Sequence, residues 1–330
     1  LQAKAATNAI IISSASKIIR LFIQMIIMGV GGYLVLKREI TGGGIIACSI
    51  LAGKALAPFD AGIATWKSVI SARKSYQRLN IALEKAPQRE EGIELPAPKG
   101  ALSIEKLFYA PPGSTKPILK GINCEIKPGE IIGIIGPSGA GKTTFAKLIT
   151  GIYKSSSGNV RLDGADIYKW NRSNIGKHIG YLPQDTELFN GMVKTNIARM
   201  QENADSEVII KAAQLANAHE MILKLENGYE TEIGLQGSQL SAGQIQRIGL
   251  ARAFYNDPKV LILDEPNSHL DQEGEIALIK SINYAKSNRI TTIIIAHRPS
   301  VLKYVDKIMV LKDGIISLFD TRNEVFKKLQ

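Results

Sequence analysis

The stretch GPSGAGKTT, Gly136 to Thr144, constrains this chain more than any other part of it. It matches the pattern GxxxxGK[ST] in full and lies between the apolar run EIIGIIG and the helix-like run TTFAKLITGIY. That setting predicts a strand, a tight loop and a helix in succession. Gly136, Gly139 and Gly141, with Pro137, Ser138 and Ala140 between them, let backbone N–H groups converge on phosphate oxygens. The helix that follows, opening with Thr143 and Thr144, adds roughly half a positive charge at its N-terminus. Lys142 is expected to reach the β and γ phosphates, and the Thr143 hydroxyl to ligate Mg²⁺. The loop thus predicts a nucleoside triphosphate site.

Such a site needs a metal anchor and a group that orients water. The run VLILDE ends in both, with Asp264 for Mg²⁺ and Glu265 as general base for the attacking water. His297 ends the run TTIIIAH, at the C-terminal edge where open parallel sheets bind ligands. EIIGIIG, KVLILDEP and TTIIIAH carry few charges along their cores, as strands buried on both faces must. Helical patterns separate them, and the Asp-Gly pairs in VRLDGADI and IMVLKDGIISLF mark hairpins. The expected fold class is α/β, a mostly parallel sheet with helices on both sides. In LSAGQ, residues 240–244, Ser241 precedes small residues and the helical IQRIGLARAFY. This makes a second helix N-terminus and a second anion site, with a plain N-cap as the alternative reading for Ser241 alone.

The N-terminal part has a different character. LFIQMIIMGVGGYLVL, Leu21 to Leu36, carries no charge and is flanked by Lys17, Arg20, Lys37 and Arg38; a second apolar run, Gly42 to Phe59, contains Lys54. Two membrane helices, 18–37 and 42–59, are expected, with a buried soluble hairpin as the alternative. Gly29, Gly31 and Gly32 in the first run and Gly42, Gly43, Gly44 and Gly53 around the second favour the membrane, because small residues allow close helix contact in lipid and weaken a helix in water. Lys54 is expected to face the bundle interior or a watery path. The basic, helix-patterned WKSVISARKSYQRLNIALEK that follows marks the cytoplasmic side. APQREEGIELPAPKG, with three prolines, reads as a linker. The expected domains are 1–60 (membrane helices), 61–98 (cytoplasmic extension and linker) and 99–330 (nucleotide-binding). The chain opens inside a helix-like stretch, which suggests a fragment of a longer protein.

The formal net charge is +11, which points to a polyanionic neighbour: nucleotide phosphates, anionic lipid or nucleic acid. Cys48 and Cys124 form no CxxC pattern, so neither a disulfide framework nor a zinc site is indicated, and both are expected to be buried thiols.

Taken in order, GPSGAGKTT, Gln184 in YLPQD, LSAGQ, LILDE, PNSHLD and IAHRPS resemble the motif set of the ATP-binding cassette (ABC) exporters. LAGKALAPFD, APPGSTKPILKGI and GYLPQDTELFNG resemble more narrowly the permease/ATPase subunits of bacterial type I secretion systems that export proteases, lipases or surface-layer proteins. The resemblance implies a P-loop ATPase domain with an antiparallel β subdomain and a helical subdomain, preceded by transmembrane helices. It implies ATP and Mg²⁺ as cofactors, with Gln184 near Mg²⁺ and the lytic water. Ser241, Gly243 and Gln244 would serve the γ-phosphate of ATP on a second subunit, His297 would contact it from the subunit of Lys142, and Asp271 would bridge the two cassettes. The implied assembly is a homodimer in the bacterial inner membrane, its ATPase domains cytoplasmic. A periplasmic adaptor, an outer-membrane channel and a protein substrate are the implied partners, and no nucleic acid. Export of lipid, drug or peptide is the alternative; a soluble ABC ATPase acting on nucleic acid and an inactive nucleotide sensor are alternatives of other classes. Three positions depart from the family pattern. Ala242 replaces the usual Gly, Leu235 stands where Glu is common, and Pro111 occupies the usual place of the adenine-stacking aromatic, for which Tyr109 is a substitute or simply core.

Overall fold

A computed structural model describes residues 2–85, 92–234, 240–268, 270, 272–296 and 299–329. His297, Asp271 and Leu235 therefore lie outside the described residues. The chain forms two compact units, Leu1–Arg89 and Glu90–Gln330.

The first unit is a pair of helices, α1 (Gln2–Leu36) and α2 (Gly42–Lys85). Lys17–Leu36 is long and apolar enough to cross a membrane, whereas the apolar Gly42–Pro58 is shorter. α2 runs on through Pro58 into its basic half rather than ending near residue 59. Gly31 is where the two helices meet most closely: a Cβ added there would lie 2.9 Å from Ile45 Cγ1. Among the described residues a Cβ at Gly29, Gly32 or Gly53 would meet nothing within 4 Å. Cys48 is exposed on α2, contrary to expectation, because a two-helix unit has too little interior to bury it. Lys54 is exposed as well.

The second unit begins with two antiparallel strands, β1 (Leu102–Tyr109) and β2 (Leu119–Ile126), followed by β3 (Ile131–Ile135) and α3 (Lys142–Ile149). Next come β4 (Ser157–Leu162), β5 (Ala165–Asp166), α4 (Arg172–Ile175) and β6 (Ile179–Leu182). A mainly helical insertion follows, comprising β7 (Gly191–Met192), α5 (Val193–Ile197), α6 (Ser206–Leu215), α7 (His219–Leu223), β8 (Glu232–Ile233) and α8 (Ala242–Phe254). The chain ends in β9 (Val260–Asp264), α9 (Gln272–Ser287), β10 (Thr291–Ile295), α10 (Pro299–Leu302), β11 (Lys307–Lys312), β12 (Ile315–Thr321) and α11 (Arg322–Leu329).

Six strands form one sheet in the order β12-β11-β3-β10-β9-β6, parallel except for β12; a second sheet, β2-β1-β4-β5, is antiparallel. All five residues of β9 and of β10 are buried, and their side chains alternate between two apolar clusters on the two faces: Leu261 and Leu263 enter one, Val260 and Ile262 the other. Burial on both faces is why these runs carry no side-chain alternation in polarity. Both Asp-Gly pairs sit in hairpins, between β4 and β5 and between β11 and β12. The expected domain start at 99 falls inside the second unit rather than at its edge. The Asp163 carboxylate accepts from the amides of Lys99, Gly100 and Ala101, and Ile93 bridges to Trp170, so the proline-rich stretch is tied down from Ile93 onward.

Candidate functional site

The parallel strands deliver their loops to one edge of the sheet. The phosphate-binding loop follows β3, Asp264 ends β9, and Gln184 lies two residues beyond β6, exposed. The loop's shape demands glycine at two points. Gly136 has φ +155°, and a Cβ there would lie 2.0 Å from the Leu311 carbonyl oxygen; Gly141 caps α3 at φ +98°, and its Cβ would lie 2.7 Å from Leu119 Cδ2. Pro137, Ser138 and Gly139 face solvent, whereas Ala140 packs inward.

Lys142 is 7% exposed, and its ammonium donates to the carbonyls of Gly136 and Pro137, each at 2.9 Å. Burial holds its pKa down, against the opposing pull of Glu265 and Asp264. Asp264 is fully buried, and among the described residues neither carboxylate oxygen has a hydrogen-bond partner in good geometry. Burial pushes its pKa up, while the neighbouring Thr143 hydroxyl and the Lys142 ammonium pull it down. Its desolvation is thus only partly offset by these neighbours, which suits a carboxylate that can hold a cation. Among the described residues no three His, Cys, Asp or Glu side chains converge as a cage. The fit is to a hard cation held by Asp264 and the Thr143 hydroxyl that takes its remaining ligands from phosphate and water.

Glu265 adopts φ +49°, a backbone region uncommon outside glycine, and its N–H donates to the Ile295 carbonyl at 2.9 Å, which joins the ends of β9 and β10. The structure thus brings Lys142, Thr143, Asp264 and Glu265 into one neighbourhood. Ser241 is the N-cap of α8, in a reciprocal capping box: the Gln244 amide N–H donates to Ser241 Oγ at 3.3 Å, and the Ser241 N–H to Gln244 Oε1 at 2.8 Å. Ser241 and Ala242 are exposed, with Gly243 and Gln244 partly covered. Tyr109 belongs to the core: it is 7% exposed and stacks on Tyr153 with centroids 5.2 Å apart and planes within 4°.

Sequence reasoning missed three polar residues that shape the site's surroundings. Gln246 is 4% exposed and donates to Pro266 O at 2.7 Å and Glu265 O at 3.3 Å. Asn196, fully buried, exchanges hydrogen bonds with the backbone of Phe189 and donates to the Met192 carbonyl, which fixes the segment beyond Gln184. Arg199 donates to five carbonyls, those of Gly176, Ile179, Arg252, Ala253 and Tyr255. The signal in each case was a polar residue on an otherwise apolar helix face or at a helix end, which by itself does not name a partner.

Residues 119–268 match the family profile described as ABC transporter, a span that includes the loop, Gln184, Ser241, Asp264 and Glu265. The chain is 43% identical over 310 residues to the type I secretion system ATP-binding protein PrsD of Rhizobium meliloti (strain 1021), covering 94% of this chain and 53% of that protein. It is 36% identical over 301 residues to the leukotoxin translocation ATP-binding protein LktB of Mannheimia haemolytica, covering 91% and 42%. The chain thus spans about half the length, or less, of these curated relatives. A solved bacterial Atm1-family ABC exporter with ATP bound superposes with a TM-score of 0.78 at 25% identity, covering 100% of this chain and 58% of that one. By motif order, site geometry and these likenesses, residues 119–268 form a domain of the ABC transporter family.

Proposed function

We propose that this chain is the ATP-binding and ATP-hydrolysing part of a type I protein exporter in the bacterial inner membrane, with 99–330 cytoplasmic and 18–37 and 42–59 in the bilayer. What carries the reading is the neighbourhood of Lys142, Thr143, Asp264 and Glu265 in a chain 43% identical to a type I secretion ATP-binding protein. Lys142 exchanges the Gly136 and Pro137 carbonyls for the β and γ phosphates of ATP, while amides of 136–144 gather around them. Thr143 and Asp264 would hold Mg²⁺, with Gln184 beside it; when bound, the ion neutralises charge on the phosphate oxygens during transfer. Glu265 accepts a proton from the attacking water as the new Pγ–O bond forms and the bond to the β-phosphate oxygen breaks, leaving ADP. His297 contacts the γ-phosphate from the same chain. Ser241, Gly243 and Gln244 meet the γ-phosphate of a second copy's nucleotide, and Asp271 joins the two, so the working unit is a homodimer. ATP favours the closed pair, hydrolysis releases it, and the difference in affinity drives export of a protein substrate through a periplasmic adaptor and an outer-membrane channel.

The test is ATP turnover by the full-length protein in lipid nanodiscs. The wild type is expected to release phosphate, and Glu265→Gln to bind ATP at similar affinity with turnover reduced at least ~100-fold, the loss expected for a general base. Full hydrolysis by Glu265→Gln removes that residue from the base role, and absence of ATP binding by the wild type overturns the whole reading. Deleting the gene is expected to stop accumulation of a specific protein in the culture medium; unchanged secretion would point to another cargo class.

A further inference from the structure

Gln246 lies five residues into the helix that Ser241 caps, with its side chain turned inward. It is 4% exposed, and its Nε2 is 2.7 Å from Pro266 O, 3.3 Å from Glu265 O and 3.4 Å from Ser268 Oγ. One buried amide therefore joins α8 to the turn that immediately follows Asp264. The backbone it grips is the strained one: Glu265 sits at φ +49°, its N–H held by Ile295 O on one side and its C=O approached by Gln246 on the other. An uncommon backbone conformation persists only where its surroundings over-determine it, and Gln246 contributes to that from the Ser241 helix.

We infer that Gln246 is a positioning residue that transmits the position of α8 to the Glu265 backbone, and so sets the carboxylate of its own site according to what the N-terminus of α8 meets. The inference rests on the proposed function, in which that N-terminus engages the nucleotide of a second copy. Closure of the pair would then reach Glu265 within a single rigid helix, and the two sites would act together. Gln246 does not touch the nucleotide; its effect passes through Glu265.

The experiment compares Gln246→Met, which keeps the length and loses the donors, with Gln246→Glu, whose carboxylate cannot donate to carbonyls. Both are made in the full-length protein in nanodiscs, with ATP affinity, kcat, the Hill coefficient and thermal melting measured. The expected result is a kcat reduced at least tenfold, ATP affinity within threefold of wild type and a Hill coefficient near one. In a Glu265→Gln background, Gln246→Met is expected to add no further loss in single-turnover hydrolysis, because both changes act on one group. Wild-type kcat in either folded variant overturns the inference, as does an undiminished loss in the Glu265→Gln background. If Gln246→Met fails to fold, Gln246→Glu decides the matter. If both fail, Gln246→Asn is used, which keeps the amide one methylene short; wild-type kcat and Hill coefficient there overturn the inference, and a selective loss of kcat supports it. An inactive wild type would instead sink the proposed function.

Discussion

The Lys142 ammonium donates to the carbonyl of Gly136, six residues behind it, at 2.9 Å, so the loop's own backbone holds the charge that a phosphate would claim. Replacing Lys142 by Ala removes a charge-assisted phosphate contact worth ~1.5–3 kcal/mol. ATP affinity is expected to fall roughly 10- to 100-fold on that basis. Titration with a fluorescent ATP analogue checks this, and the melting temperature without nucleotide is expected to move little.

Asp264 provides a pH-dependent test. Burial places its folded pKa above the unfolded value of about 3.9, so the folded state keeps the proton longer than the unfolded chain does. The resulting penalty is absent below about pH 4, grows as pH rises toward the folded pKa and is complete above it. Asp264→Asn should therefore stabilise the nucleotide-free protein at pH 7.5 by about 1–3 kcal/mol while abolishing turnover. Paired thermal melts from pH 4 to 8 check the sign, since the advantage of the variant should shrink toward the acid end.

Among the described residues Arg199 is held by backbone carbonyls: besides the contact to Gly176, it donates to Arg252 O at 3.0 Å, Ile179 O and Ala253 O at 3.2 Å and Tyr255 O at 3.4 Å. Desolvation lowers its pKa to about 10, which leaves it charged at neutral pH. Lysine has one nitrogen and cannot reach five acceptors. Arg199→Lys is expected to cost on the order of 3 kcal/mol, read from the urea midpoint, because several buried carbonyls lose their partner.

The two thiols should differ sharply. Burial pushes the Cys124 thiol up to about 12, so almost no thiolate exists at pH 8. In a Cys48→Ser variant the native protein is expected to resist maleimide over an hour and to label fully in guanidinium. Rapid native labelling would show that β2 opens far more easily than its packing suggests.

The glycine-rich loop, the apolar strands β3, β9 and β10, and both Asp-Gly hairpins were legible from the residues, because each is marked by a pattern of residue types contained in a short stretch of chain. The spacing of Gly136, Gly141, Lys142 and Thr143 alone dictates where backbone amides and a cation can gather. The order of the strands was not legible, since β3 pairs with β10 and β11, more than 150 residues away. Nor could residues 93–101 be recognised as part of the second unit, because Trp170, which bridges to Ile93, and the Asp163 carboxylate, which accepts from the amides of Lys99, Gly100 and Ala101, lie more than 60 positions onward. Tyr109 could be assigned to the core only once Tyr153 was seen stacked on it.

The sequence alone therefore laid out the expected chemistry of the site: which residues are candidates to meet a phosphate, which carboxylates lie at the end of the strand β9, and where a second helix N-terminus begins. Tertiary structure alone decided how those parts are held, with Asp264 buried beside Thr143 and Lys142, Glu265 kept at a strained φ, and Gln246 reaching from one motif to the other. The physical reason is range. Local backbone geometry and charge are written into short stretches, whereas burial and strain arise only when distant segments exclude water together.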